Sequence, residues 1–97
     1  MNITLITGGS RGIGAATAQL CAERGMGVIL TYKSNPQAAQ SVVAQIIADG
    51  GQALALELNV SDVGTFGGFA ETVRQALQTT WQKTTLHGLV NNAGHGL

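Results

Sequence analysis

The apolar run Ile3-Thr4-Leu5-Ile6 leads straight into Thr7-Gly8-Gly9-Ser10-Arg11-Gly12-Ile13-Gly14, and a helix-patterned segment follows. Few folds accommodate a buried strand, a glycine-rich turn and a helix start in so short a stretch. The layout puts a helix N-terminus at the end of a strand, where unpaired backbone N–H groups and the positive end of the helix dipole face outward. Glycines in the turn let the backbone reverse sharply and let an anion approach with no Cβ in its path. A plain connector between two elements would use similar residues, so the spacing takes its meaning from the strand before it and the helix after it.

The rest of the chain alternates in the same way. Ile3 to Thr7 reads as a strand, and Ile13, Thr17, Leu20, Cys21 and Arg24 recur at helical spacing, with Gly25 as the stop. Val28 to Tyr32 is a second β-branched run; Ser34-Asn35-Pro36 then supplies a capping residue and a helix-starting proline. Ala39, Val43, Ile46 and Ile47 form one apolar stripe, ended by Gly50-Gly51. Ala53 to Leu58 reads as a third strand. Ser61 or Asp62 caps a third helix with the stripe Phe66, Phe69, Ala70, Val73, Leu77 and Trp81. Gly64, Gly67 and Gly68 weaken the start of that helix. Leu89-Val90-Asn91 is a short fourth strand. Strands separated by helices predict right-handed βαβ crossovers: an α/β, partial Rossmann fold with a four-stranded parallel sheet in the order 3-2-1-4 and helices on both faces.

Composition narrows the function classes. A chain of 97 residues is one small domain, and 44% hydrophobic against 10% charged residues excludes a disordered segment. The formal net charge is zero, which argues against nucleic acid or an anionic membrane as partner. The apolar runs are too short to cross a bilayer, and the N-terminus enters a strand almost at once, so no signal peptide is expected. The single cysteine, Cys21, has no internal disulfide partner and lies on an apolar helix stripe, which predicts core packing and a reduced, cytoplasmic setting.

With strand and helix in place, the glycine spacing predicts dinucleotide binding. Thr7-Gly8-x-x-x-Gly12-Ile13-Gly14, followed downstream by Asn91-Asn92-Ala93-Gly94 after an apolar strand, resembles the short-chain dehydrogenase/reductase family. The likeness runs over residues 1–97 and corresponds to the family's N-terminal half, with bacterial 3-oxoacyl-carrier-protein reductases and related carbonyl reductases the nearest in character. It implies cofactor contacts at Gly8, Ser10, Arg11, Gly12, Ile13 and Gly14 in the turn, and at Tyr32, Lys33 and Ser34 after the second strand. It also implies contacts at Asn59 and Val60, where the adenine is held, and at Asn91, Ala93 and Gly94 along the adenosine and ribose; Asn92 would tie the fourth strand to its neighbours. For Asn59, a turn-capping role is the equal alternative.

Charge argues for the form of the cofactor. A site that prefers NAD places a carboxylate near the end of the second strand to bind the ribose hydroxyls. Here Tyr32 and Lys33 stand there with no carboxylate beside them, and Arg11 sits in the turn. Two cations suit a 2′-phosphate, so NADP(H) is expected over NAD(H); solvated surface charges are the alternative. His87 stands where relatives often carry Asp, and His95 follows the Asn-Ala-Gly motif; both read as exposed loop histidines. Trp81 and Phe69 read as core.

Catalysis in the family uses a Ser and a Tyr-x-x-x-Lys unit beyond the fourth strand. The one tyrosine here is Tyr32 and the serines are at 10, 34, 41 and 61, so no residue carries over as catalytic. The expectation is therefore the cofactor-binding half of a reductase, with the catalytic half absent. The open edge of the fourth strand would be met by self-association or by the missing half. A truncated, non-catalytic binding or interaction module, or a product with no ligand at all, are the alternatives.

Overall fold

Side chains on a strand point alternately to the two faces of a sheet, and that alternation divides this core in two. The computed structural model describes residues 2–8, 12–33, 35–57, 66–83 and 85–91, with residues 66–69 and Asn91 described through their backbone alone. The elements run β1 (Ile3–Thr7), α1 (Gly12–Glu23), β2 (Gly27–Tyr32), α2 (Pro36–Ala48), β3 (Gln52–Glu57), α3 (Phe66–Trp81) and β4 (Gly88–Asn91). The strands form a four-stranded sheet in the order β3-β2-β1-β4, and all three pairings are parallel. Ile6, Val28, Leu30 and Ala53 face α1 and α2, where Ala18, Ala39, Val42, Val43 and Ile46 close over them. Ile3, Leu5 and Ile29 face the other way, against Val73 and Leu77 of α3 with Trp81 and Leu86 at the border. The expected order and the helices on both faces are both present.

Local signals account for most element ends. Asn35 caps α2 by accepting the Ala38 N–H at 3.1 Å, and Pro36 opens the helix. Both α1 and α2 end in a Schellman turn. Met26 N–H reaches Cys21 O and Gly25 N–H reaches Ala22 O; Gly51 and Gly50 repeat the pattern on Ile46 and Ile47. The strands β2, β3 and β4 begin one residue earlier than expected, at Gly27, Gln52 and Gly88, and the expected end of β3, Leu58, lies outside the described residues. Helix α3 begins at Phe66 and holds Gly67 and Gly68 within it, while the expected caps Ser61 and Asp62 lie outside the described residues.

The face of α1 differs from the sequence expectation. The buried residues are Gly14 and Ala18, with Ala15, Cys21 and Ala22 packed beside them, whereas Ile13 is 78% and Leu20 48% exposed. The stripe is rotated by one position from Ile13, Thr17, Leu20, Cys21 and Arg24. A helix lying close on a sheet selects small residues at the contact, and hydrophobicity alone ranks the larger neighbours first. Thr17 closes its hydroxyl on the Ile13 carbonyl at 2.8 Å within the helix. Cys21 does pack against the core, as expected. Two variants check this phase in chemical denaturation. Leu20→Ala is expected to cost less than about 1 kcal/mol. Ala18→Leu, which puts extra methylenes into a filled contact, is expected to cost about 1–3 kcal/mol.

Candidate functional site

Carboxyl ends of parallel strands are where open α/β sheets keep their ligand crevice. Three segments converge there: the turn after β1, the end of β2 and the end of β4. The β1–β4 register pairs Thr7 with Asn91 at this rim, and the Thr7 hydroxyl donates to the Val90 carbonyl at 3.4 Å. Gly8 follows, with φ +68°, and its N–H donates to the Thr31 hydroxyl at 3.0 Å. Gly12 opens α1 at φ +62°, and a Cβ built on it would meet nothing within 4 Å. Both glycines hold a left-handed conformation that a side chain disfavours.

This arrangement fits an anion. The first turn of α1 carries no acidic residue, so no side chain of its own competes for the free N–H groups of the helix start. A side chain at Gly12 would project into open space on this side of the turn. Gly14 is buried, so its missing side chain serves the close packing of α1 on the sheet as well as the turn. The N–H of Gly8 is directed inward to Thr31, so among the turn glycines Gly8 contributes conformation and Gly12 contributes access.

Tyr32 and Lys33 lie where expected, at the end of β2. The Tyr32 ring is half-buried against the α1/α2 side of the core, and Lys33 is exposed. Asn91 ends β4 beside Thr7. Ser10, Arg11, Ser34, Asn59, Val60, Asn92, Ala93, Gly94 and His95 lie outside the described residues.

His87 is an exposed loop residue, as expected, and it also has a structural contact. Its Nδ1 accepts the Ile3 N–H at 3.1 Å and its own N–H donates to Ile3 O at 2.8 Å. The imidazole thus finishes the ladder at the start of β1, the end of the sheet remote from the glycine turn. The partners are 84 positions apart, a juxtaposition with no local signal. Trp81 is half-buried core as expected, and its indole N–H donates to Gln52 Oε1.

Two hollows lie elsewhere. One of about 240 Å³ is bounded by Glu23, Gly25, Asp49 and Gly51, at the N-terminal ends of β2 and β3, remote from the helix starts. The other, about 400 Å³ and apolar, runs between α3 and the sheet along Leu5, Val73, Leu77 and Leu86. Among the described residues no group of three His, Cys, Asp or Glu is placed to hold a metal ion, and no helix is long and apolar enough to cross a membrane.

Comparison with known proteins places this geometry. The family model for short chain dehydrogenase matches residues 2–97. A 3-oxoacyl-[acyl-carrier-protein] reductase of Synechocystis sp. is 45% identical over 93 residues, covering 95% of this chain and 35% of that protein. Among solved structures, the promiscuous reductase LugOII, which catalyses keto-reduction at C1 in lugdunomycin biosynthesis, superposes with a TM-score of 0.90 at 40% identity, over 95% of this chain and 38% of the other. The angucycline C-6 ketoreductase LanV with bound NADP superposes with a TM-score of 0.91 at 34% identity, over 96% of this chain and 36% of the other. The chain therefore spans little more than a third of the length of these relatives.

Proposed function

Because the chain belongs to the short-chain dehydrogenase/reductase family, we propose that it is an NADP(H)-binding segment of an oxidoreductase, in which the turn from Gly8 to Gly14 holds the cofactor pyrophosphate. The observation that carries this reading is the acid-free start of α1 behind a left-handed, side-chain-free Gly12. Free N–H groups of Gly12, Ile13 and Gly14 would bind the pyrophosphate oxygens. Ser10, Arg11, Lys33 and Ser34 would meet the 2′-phosphate, and Tyr32 would flank the ribose. Asn59, with the Val60 N–H, would hold the adenine; Asn91, Ala93 and Gly94 would line the adenosine side. The preference for NADP(H) rests on charge: a 2′-phosphate carries nearly two negative charges, and no carboxylate stands between Thr31 and Asn35 to repel it.

When bound, the reduced cofactor would supply the hydride for reduction of a carbonyl in the whole protein, and the oxidised cofactor would accept it in oxidation of an alcohol. The segment contributes binding and orientation, in the reducing setting of the cytoplasm. A second reading, a non-catalytic nucleotide-binding or interaction module, draws on Tyr32 being the one tyrosine and standing on β2. NADPH consumption by the whole protein with a panel of ketones would rule that reading out. The β4 edge, where Leu89 is 65% exposed, would pair with a second copy or with further chain; a monodisperse monomer in light scattering would overturn this.

Calorimetric titration of the chain with NADPH and NADH tests the main reading. Saturable NADPH binding is expected, about tenfold tighter than NADH, with the difference lost in Arg11→Ala/Lys33→Ala. Absence of saturation below millimolar NADPH would overturn it.

A further inference from the structure

We propose that Thr31 is a positioning residue for nucleotide binding, its hydroxyl holding the mouth of the glycine turn in the geometry that presents the α1 amides to phosphate. This rests on the pyrophosphate reading above. Thr31 is 2% exposed on β2, and its Oγ1 accepts the Gly8 N–H at 3.0 Å. The regular β1–β2 register runs from Ile3↔Gly27 to Ile6↔Leu30. The Thr31 contact carries the connection past that register by a side chain, at the residue where the chain leaves the sheet with φ +68°. A β-branched side chain is stiff at χ1 and Thr31 is buried, so few orientations are open to its oxygen. With Gly8 anchored, three residues separate it from Gly12 and the start of α1, so the anchor fixes where the turn leaves the sheet on its way to the α1 amides.

The competing account is that Thr31 is present for strand propensity and packing only. Valine distinguishes the two, since it keeps shape and β-branching and removes the oxygen. In Thr31→Val, amide hydrogen exchange at Gly8 is expected to accelerate on the order of a hundredfold. NADPH binding by the full chain should weaken roughly tenfold, with the thermal midpoint within a few degrees of the parent. Thr31→Ser restores an acceptor and should recover both exchange protection and affinity. Should the valine variant fail to fold, Thr31→Ala replaces it. Unchanged Gly8 exchange, or unchanged affinity in a parent chain that does bind, would overturn the role of Thr31. A parent chain that takes up no NADPH would instead bring down the pyrophosphate reading and this proposal's nucleotide half with it. In that case the Gly8 exchange still reports whether Thr31 anchors the turn.

Discussion

Gly12→Val is expected to weaken NADPH binding at least about a hundredfold while the sheet and its helices persist. The two halves of that expectation have separate causes. At φ +62° a β-branched residue is strained, which costs about 1–2 kcal/mol of stability. Within the protein, however, the new Cβ meets nothing within 4 Å, so no clash propagates into the fold. The same open space is where the pyrophosphate would lie, and there the added methyls stand between the anion and the N–H groups of α1. Calorimetry reads the affinity, and far-UV circular dichroism with thermal melting reads the fold. Gly12→Ala separates strain from bulk, because it carries the backbone penalty with little of the volume. A valine variant that binds as tightly as the parent would show that no ligand approaches this turn.

Leu30→Ala is expected to destabilise the chain by about 3 kcal/mol in urea denaturation. Leu30 has no exposed surface and sits on β2, which has a strand on each side, under the cluster closed by α1 and α2. Removing its branched end leaves a void that the small contact residues of α1 cannot fill, since Ala18 and Gly14 have no further atoms to offer. A domain of this size has total stability toward the low end of the usual 5–15 kcal/mol, so the loss is a large share of it. Saturating NADPH should recover part of the lost midpoint, because ligand that binds only the folded state adds stability by mass action. A cost below about 1 kcal/mol would mean that Leu30 is not packed as described.

The strands were legible because their side chains alternate between two buried faces, which leaves nearly continuous apolar runs such as Val28-Ile29-Leu30. The ends of α1 and α2 were legible because Asn35, Pro36, Gly25 and Gly50 act on backbone groups within a few residues of themselves. The glycine turn belongs to the same class. Its conformation, with Gly8 and Gly12 both at positive φ, follows from residues that tolerate it locally. The α1 face was misread because its contact is made of glycine and alanine, residues whose burial reflects the space left by the sheet more than their own hydrophobicity. The small-residue seam of Gly14, Ala18 and Ala22 is the feature of the sequence that marks the buried face of this helix.

Amino-acid order alone determined the strand–turn–helix unit, the alternation that demands a parallel sheet, and the acid-free helix start that suits a phosphate. Each depends on interactions spanning a handful of residues, and such interactions are written consecutively. Tertiary structure decided that His87 completes the backbone of Ile3 and that Thr31 anchors Gly8. It also decided that α1 turns its alanines inward. These contacts join residues 84 and 23 positions apart, or depend on how closely a helix can approach a sheet. Their partners become neighbours only when the core closes, because a single donor or acceptor gains its worth from the burial that the whole fold provides.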